Sequence, residues 1–101
     1  MLRQETVSQA EVVLVVTSSI YSEDGIEFEK KMDELCESRF LTITLDLSAV
    51  PSITSGAIGK LVQVRKRLRE QQRTIRIRGC SDALYKIFQM IRLDTLLEIT
   101  K

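Results

Sequence analysis

The chain has 101 residues, 44% of them hydrophobic and 29% charged, with 15 Lys+Arg against 14 Asp+Glu and no histidine. That length supports one hydrophobic core and not two, and the composition is ordinary for a soluble globular domain. Without histidine, a serine or cysteine nucleophile lacks its usual base and zinc has only cysteines and carboxylates, which argues against hydrolytic catalysis and a metal centre.

The charge is unevenly spread: residues 1–50 carry four Lys/Arg against ten Asp/Glu, and residues 51–101 carry eleven against four. Such asymmetry marks either a partner surface or two solvated faces that differ. The longest apolar run, Val12 to Val16, is too short to cross a bilayer, and MLRQETVSQ is not a secretory leader. The expectation is a cytoplasmic protein with no membrane association.

A weak strand is predicted around Gln4 to Val7, turning near Ser8 to Ala10. Val12–Val16 (VVLVV) reads as a strand buried on both faces. Ser22 is placed to cap a helix whose first turn holds Glu23 and Asp24. Phe28, Met32, Leu35 and Cys36 follow at the spacing of one apolar helical stripe. Leu41 to Leu47 (LTITLDL) alternates as a second strong strand, with Leu41, Ile43, Leu45 and Leu47 facing inward. From about Ser55 the apolar positions Ala57, Ile58, Leu61, Val62 and Leu68 return to helical spacing. Arg73 to Arg78 (RTIRIR) reads as a third strand. Ser81-Asp82 opens a helix using Leu84, Ile87, Phe88 and Ile91, and Leu96 to Ile99 forms a closing strand or turn. Strands alternating with helices imply right-handed crossovers and an α/β fold: one small domain over residues 1–101, with a mostly parallel, mixed sheet of four to five strands.

The junction PSITSGAIGK, residues 51–60, concentrates the chain's one proline and two of its four glycines where a strand hands over to a helix. Pro51 ends strand pairing, and Thr54 or Ser55 can cap the following helix. Gly56 and Gly59 leave a flat patch, suited to a close helix–sheet contact or to another backbone. The stretch is neither a P-loop nor G-x-G-x-x-G nor a G-x-S-x-G elbow. What remains is a serine hydroxyl at a helix N-terminus, at the carboxyl end of a strand, where open α/β sheets place their functional surface.

LDLSAVPSITSGAIGKLV, residues 45–62, resembles the signature of the STAS family of anti-sigma-factor antagonist domains, LDLSGV-x-x-[IM]-D-S-[ST]-G-[LI]-G-x-L. The likeness continues in TSSIYSEDGIEFEKKM, residues 17–32, which fits the family's first strand-to-helix loop. RTIRIRGCSDALYKIFQMIRLDTLLEI, residues 73–99, follows its later strand, helix and closing motif, with Arg92 where glycine is usual. The resemblance implies a STAS-like fold and a phosphoacceptor at the first hydroxyl residue after the motif's Asp, which is Ser55 here, with Thr54 the alternative. It also implies two partners: an anti-sigma-factor serine kinase that binds the dephosphorylated form and a serine phosphatase that resets it.

The implied contact surface comprises Ile20, Tyr21, Ser22 and Asp24 from the first loop, with Thr54, Ser55, Gly56, Ile58 and Gly59 from the second. The sequence departs from the pattern with Thr54 in place of Asp, Gly56 in place of a second hydroxyl and Ala57 in place of glycine. These changes keep a second reading open, a STAS-like binding or scaffold domain that is not phosphorylated and serves a transporter or a stress-signalling complex. Asp46 is expected to bond loop N–H groups.

The basic run Arg65, Lys66, Arg67, Arg69, Arg73, Arg76 and Arg78 reads as a solvated helix end or a partner patch. No aromatic residue is interleaved with it, which argues against nucleic-acid binding. Cys36 and Cys80 read as small buried hydrophobes. No catalytic residue, metal or cofactor is implied, so the expectation is a non-enzyme, monomeric or weakly dimeric.

Overall fold

The structure is a computed structural model describing residues 2–17 and 23–101, with only the helical backbone for residues 23–25. Five strands, β1 (Leu2–Thr6), β2 (Glu11–Val16), β3 (Thr42–Asp46), β4 (Thr74–Arg78) and β5 (Glu98–Ile99), form one sheet in the order β1-β2-β3-β4-β5. β1 is antiparallel to β2, and the other pairings are parallel. The crossovers are α1 (Glu23–Cys36), α2 (Ser55–Glu70) and α3 (Asp82–Met90), with a 3-10 turn at Leu93–Thr95 before β5.

Each crossover steps one strand in the same direction, and right-handed crossovers that do so lay every helix on one face of the sheet. The core records this. Val12, Leu14, Val16, Ile43, Leu45, Ile75 and Ile77, alternate positions that the register places on one face, cluster with Phe28 and Met32 of α1, Leu61 and Leu68 of α2, and Leu84 and Phe88 of α3. The α1 stripe seen in the sequence is buried at all four positions, and both cysteines are buried free thiols. Burial pushes each thiol pKa up, which keeps the sulfur protonated and unreactive.

Among the described residues, the other face carries no helix. Val13 and Val15 lie on it, flanked in register by Glu5 and Thr44 and by Arg3 and Asp46. They are buried, so Val12–Val16 is enclosed on both sides as expected, but the second side has a polar cover. Arg76 donates from Nη2 to Glu11 Oε2 at 2.7 Å and from Nε to Thr44 Oγ1 at 3.0 Å, linking β2, β3 and β4.

Several inward assignments are corrected. Leu41 precedes β3 in a bend and is 55% exposed, because the ladder begins only at Thr42. Val62, Ile87 and Ile91 are exposed, while Val64 takes the buried place on α2. Arg73 is not a strand residue of a basic stripe. Its guanidinium is buried against the end of α1, donating to the carbonyls of Leu35 (3.0 Å), Cys36 (2.6 Å) and Phe40 (2.6 Å). α1 has no basic residue in its own last turn, so Arg73 supplies the cation and the donors that its terminal carbonyls need.

Candidate functional site

Parallel pairing brings the ends of β2, β3 and β4, and the starts of α1, α2 and α3, to one end of the sheet. Ser55 stands there as the first residue of α2. Thr54 is the cap: its backbone is extended and its Oγ1 accepts from the N–H of Ala57 at 3.2 Å. Thr54 is half-buried and Ser55 exposed, so the two neighbouring hydroxyls differ in what they can do. One is committed to the helix and the other faces solvent. No acidic residue occupies the first turn of α2, so the helix itself supplies no carboxylate to the positive end of its dipole.

Gly56 and Gly59 also face out. A Cβ at Gly59 would meet nothing within 4 Å, and one at Gly56 would meet only Thr54 Oγ1 at 3.9 Å. The close helix–sheet contact considered for these glycines is therefore absent. Ser55, Gly56 and Gly59, with half-buried Ile58 beside them, form a low strip along the start of α2. Of the other expected contact residues, Ile20, Tyr21 and Ser22 lie outside the described residues, and so does the side chain of Asp24.

The loop feeding the site is tied down from below. Asp46 Oδ1 accepts from the N–H of Ser48 at 3.0 Å and from its hydroxyl at 2.6 Å, while Oδ2 faces Arg78 Nε at 3.2 Å. Burial pushes the Asp46 pKa up, but the two Ser48 bonds and Arg78 outweigh it and hold the carboxyl below its ordinary value. Gly79 closes the knot at φ +70, where a Cβ would stand 3.1 Å from Ser48 Cβ and 3.2 Å from Asp46 Oδ1. Only glycine suits that conformation and that space. The Asp-x-Ser spacing was the visible signal for this turn, and the expected bond from Asp46 to a loop N–H is present.

The basic run is divided among separate tasks. Arg67 and Lys60 both reach Asp33 of α1, at 3.3 and 2.7 Å, and Arg73, Arg76 and Arg78 are engaged as described. The Lys60 hydrogen bond is the main cause holding the Asp33 pKa down, with burial opposing it. A surface depression of about 670 Å³ is lined by Thr6, Ser8, Gln9, Arg39 and Phe40 at the opposite end of the sheet. Among the described residues, no three His, Cys, Asp or Glu side chains come together as metal ligands, and no helix is long and apolar enough to cross a membrane.

The model of the family described as "Mlab, STAS domain" matches residues 4–98. The chain belongs to the STAS family. Among solved structures, a STAS fold of this shape occurs in an anti-sigma factor antagonist from Mycobacterium paratuberculosis, with 16% identity, a TM-score of 0.87, and coverage of 99% of this chain and 84% of that one. It occurs in the Bacillus cell fate determinant SpoIIAA in its phosphorylated form, with 16% identity, a TM-score of 0.76, and coverage of 100% and 92%. The STAS domain of a SulP transporter from Vibrio cholerae is similar at 12% identity and a TM-score of 0.71, with coverage of 95% and 77%. At these identities the likeness is one of fold. No curated protein matches the chain in sequence.

Proposed function

We propose that this STAS domain, spanning residues 1–101, is a phospho-switched interaction module: an anti-sigma-factor antagonist that binds an anti-sigma serine kinase when dephosphorylated and is released by phosphorylation of Ser55. The observation that carries the reading is the division of labour at the start of α2, where Thr54 caps the helix and Ser55 leaves its hydroxyl exposed beside Gly56 and Gly59. A solved protein of the same fold, the anti-sigma factor antagonist SpoIIAA, exists in a phosphorylated form, which supports it further. Phosphate brings about −1.5 to −2 charges. In the free domain the N-terminus of α2, whose first turn holds no acidic residue, tolerates that charge. Against a partner packed on the low strip it is repelled or must be desolvated, so the complex opens. A serine phosphatase restores the binding form, and the cycle runs in the cytoplasm without an enzymatic step by the domain itself.

Incubation with an anti-sigma serine kinase and ATP, followed by mass spectrometry, tests this. Phosphate is expected on Ser55, with Ser55→Asp weakening the kinase complex and Ser55→Ala holding it. Phosphate on Thr54 alone, or on neither residue, would overturn the assignment. Thr54→Asp restores the carboxylate usual at that place and is expected to speed the transfer.

A second reading has its own support. Thr54 replaces the usual Asp, and a transporter STAS domain shares the fold. In that case the same strip serves as a permanent docking surface, Gly59→Arg abolishes partner binding, and Ser55→Asp does not.

A further inference from the structure

β1 is the first strand of the sheet, and among the described residues its outer edge pairs with no other strand. Natural edge strands are blunted by shortness, bulges, proline or charged side chains. β1 has only the last of these: its five residues run in unbroken register from Leu2↔Val16 to Thr6↔Val12, and its charges are the oppositely signed Arg3 and Glu5, which repel a random strand but complement an antiparallel copy of β1. The N–H of Val7 donates to the carbonyl of Glu11 at 3.0 Å, so Val7 turns its backbone groups toward β2. By the alternation of an antiparallel ladder, Arg3 and Glu5 do the same, and Leu2, Gln4 and Thr6 present their N–H and C=O groups outward. Leu2 packs against the core, so Gln4 and Thr6 share the helix-bearing face with it, while Arg3 and Glu5 stand on the open face, paired to each other at 2.9 Å.

Outward groups must meet outward groups, which leaves three registers that pair more than one outward residue with an antiparallel copy of the same strand. One sets Arg3 against Arg3 of the partner subunit, and another sets Glu5 against Glu5 of the partner subunit. The central register, with Gln4 opposite Gln4 of the partner subunit, sets Arg3 against Glu5 of the partner subunit, and the two-fold repeats that pair. It alone uses all three outward residues. We propose that the chain self-associates in this register, two copies joining along β1 about a two-fold axis at Gln4 to form one continuous sheet. Four charges of alternating sign then close a square on the open face. The other sheet edge cannot do this, because β5 has only two residues. α2 crosses over between β3 and β4, away from β1, so Ser55 stays accessible in both copies. The inference does not depend on the switch proposed above.

Sedimentation equilibrium on the full chain, up to millimolar protein, tests it. The expected result is a concentration-dependent dimer. Arg3→Glu and Glu5→Arg each place like charges opposite one another twice and should weaken dimerisation about tenfold or more. Mixing those two variants restores opposite charges at every position and should recover association, as should Arg3→Glu combined with Glu5→Arg in one chain. Gln4→Pro removes only an outward-facing N–H and should abolish the dimer. Circular dichroism distinguishes loss of association from loss of folding. A wild-type chain that stays monomeric, single variants that dimerise unchanged, or a mixture that does not associate would each overturn the proposal.

Discussion

The two faces of this sheet are closed by different physics. On the helix-bearing face, Ile43, Leu45 and Ile77 lie under apolar side chains of α1, α2 and α3, and burial there removes large areas from water. On the other face, Val13, Val15 and Thr44 are also buried, yet among the described residues no helix covers them and charged side chains fringe them. Burial on the two faces therefore does not mean equal stabilisation. Apolar packing gains free energy with little offset, whereas the Glu11–Arg76 pair must first be partly dehydrated and remains within reach of salt.

The largest effect should come from the helix-bearing face. Ile43→Ala removes a fully buried side chain and should cost about 2–5 kcal/mol in chemical denaturation. Arg73→Met should follow at about 3 kcal/mol, because it leaves the Leu35, Cys36 and Phe40 carbonyls without their donor. Arg73→Lys should recover only part of this, since a single ammonium cannot span the three carbonyls as the fork does. If Arg73→Met were neutral, α1 would have to close its end without help from the residue that precedes β4.

The open face should yield smaller, condition-dependent changes. Arg76→Gln should cost less than about 1 kcal/mol at low salt, and the difference should shrink in high salt. A larger, salt-independent loss would mean that the polar cover carries the sheet as the helices do. Asp46 supplies the pH test. Its folded pKa is held below the ordinary 3.8, so its contribution is complete above that value and is lost as the pH falls through the folded one. Asp46→Asn should remove that part of the acid limb of the stability curve, visible in urea titrations across the acidic range.

How much of this was legible in the sequence follows the same divide. The helix-bearing face announces itself: β2, the α1 stripe and the Ser81 cap, whose Oγ accepts from Leu84 N–H at 3.2 Å, follow from local periodicity and capping chemistry. The adjacent hydroxyls of Thr54 and Ser55 marked a helix start, although only the folded backbone distinguishes the capping Thr54 from the exposed Ser55. The open face could not be read in this way. Glu11 and Arg76 are 65 residues apart and meet only because three strands align, and nothing local marks that register. Arg73 misled for the same reason, because its partners lie at the end of a helix 37 residues earlier. Leu41 failed at a boundary, where alternation continued one residue beyond the ladder.

The strand order has a temporal consequence. Since β1 to β5 stand side by side in chain order, each strand can dock on the one synthesised before it, and none waits for a partner beyond the next crossover. Assembly can then proceed by accretion from the β1–β2 hairpin, whose ends need close only a short loop. The last addition is β5, which has only two paired positions on β4, Arg76↔Glu98 and Ile77↔Ile99, followed by the Thr100 N–H donating to the Ile77 carbonyl at 2.9 Å. Amide exchange should accordingly be fastest among the strands at Glu98 and Ile99, and a nascent chain emerging from the ribosome should acquire protection in the order of its numbering.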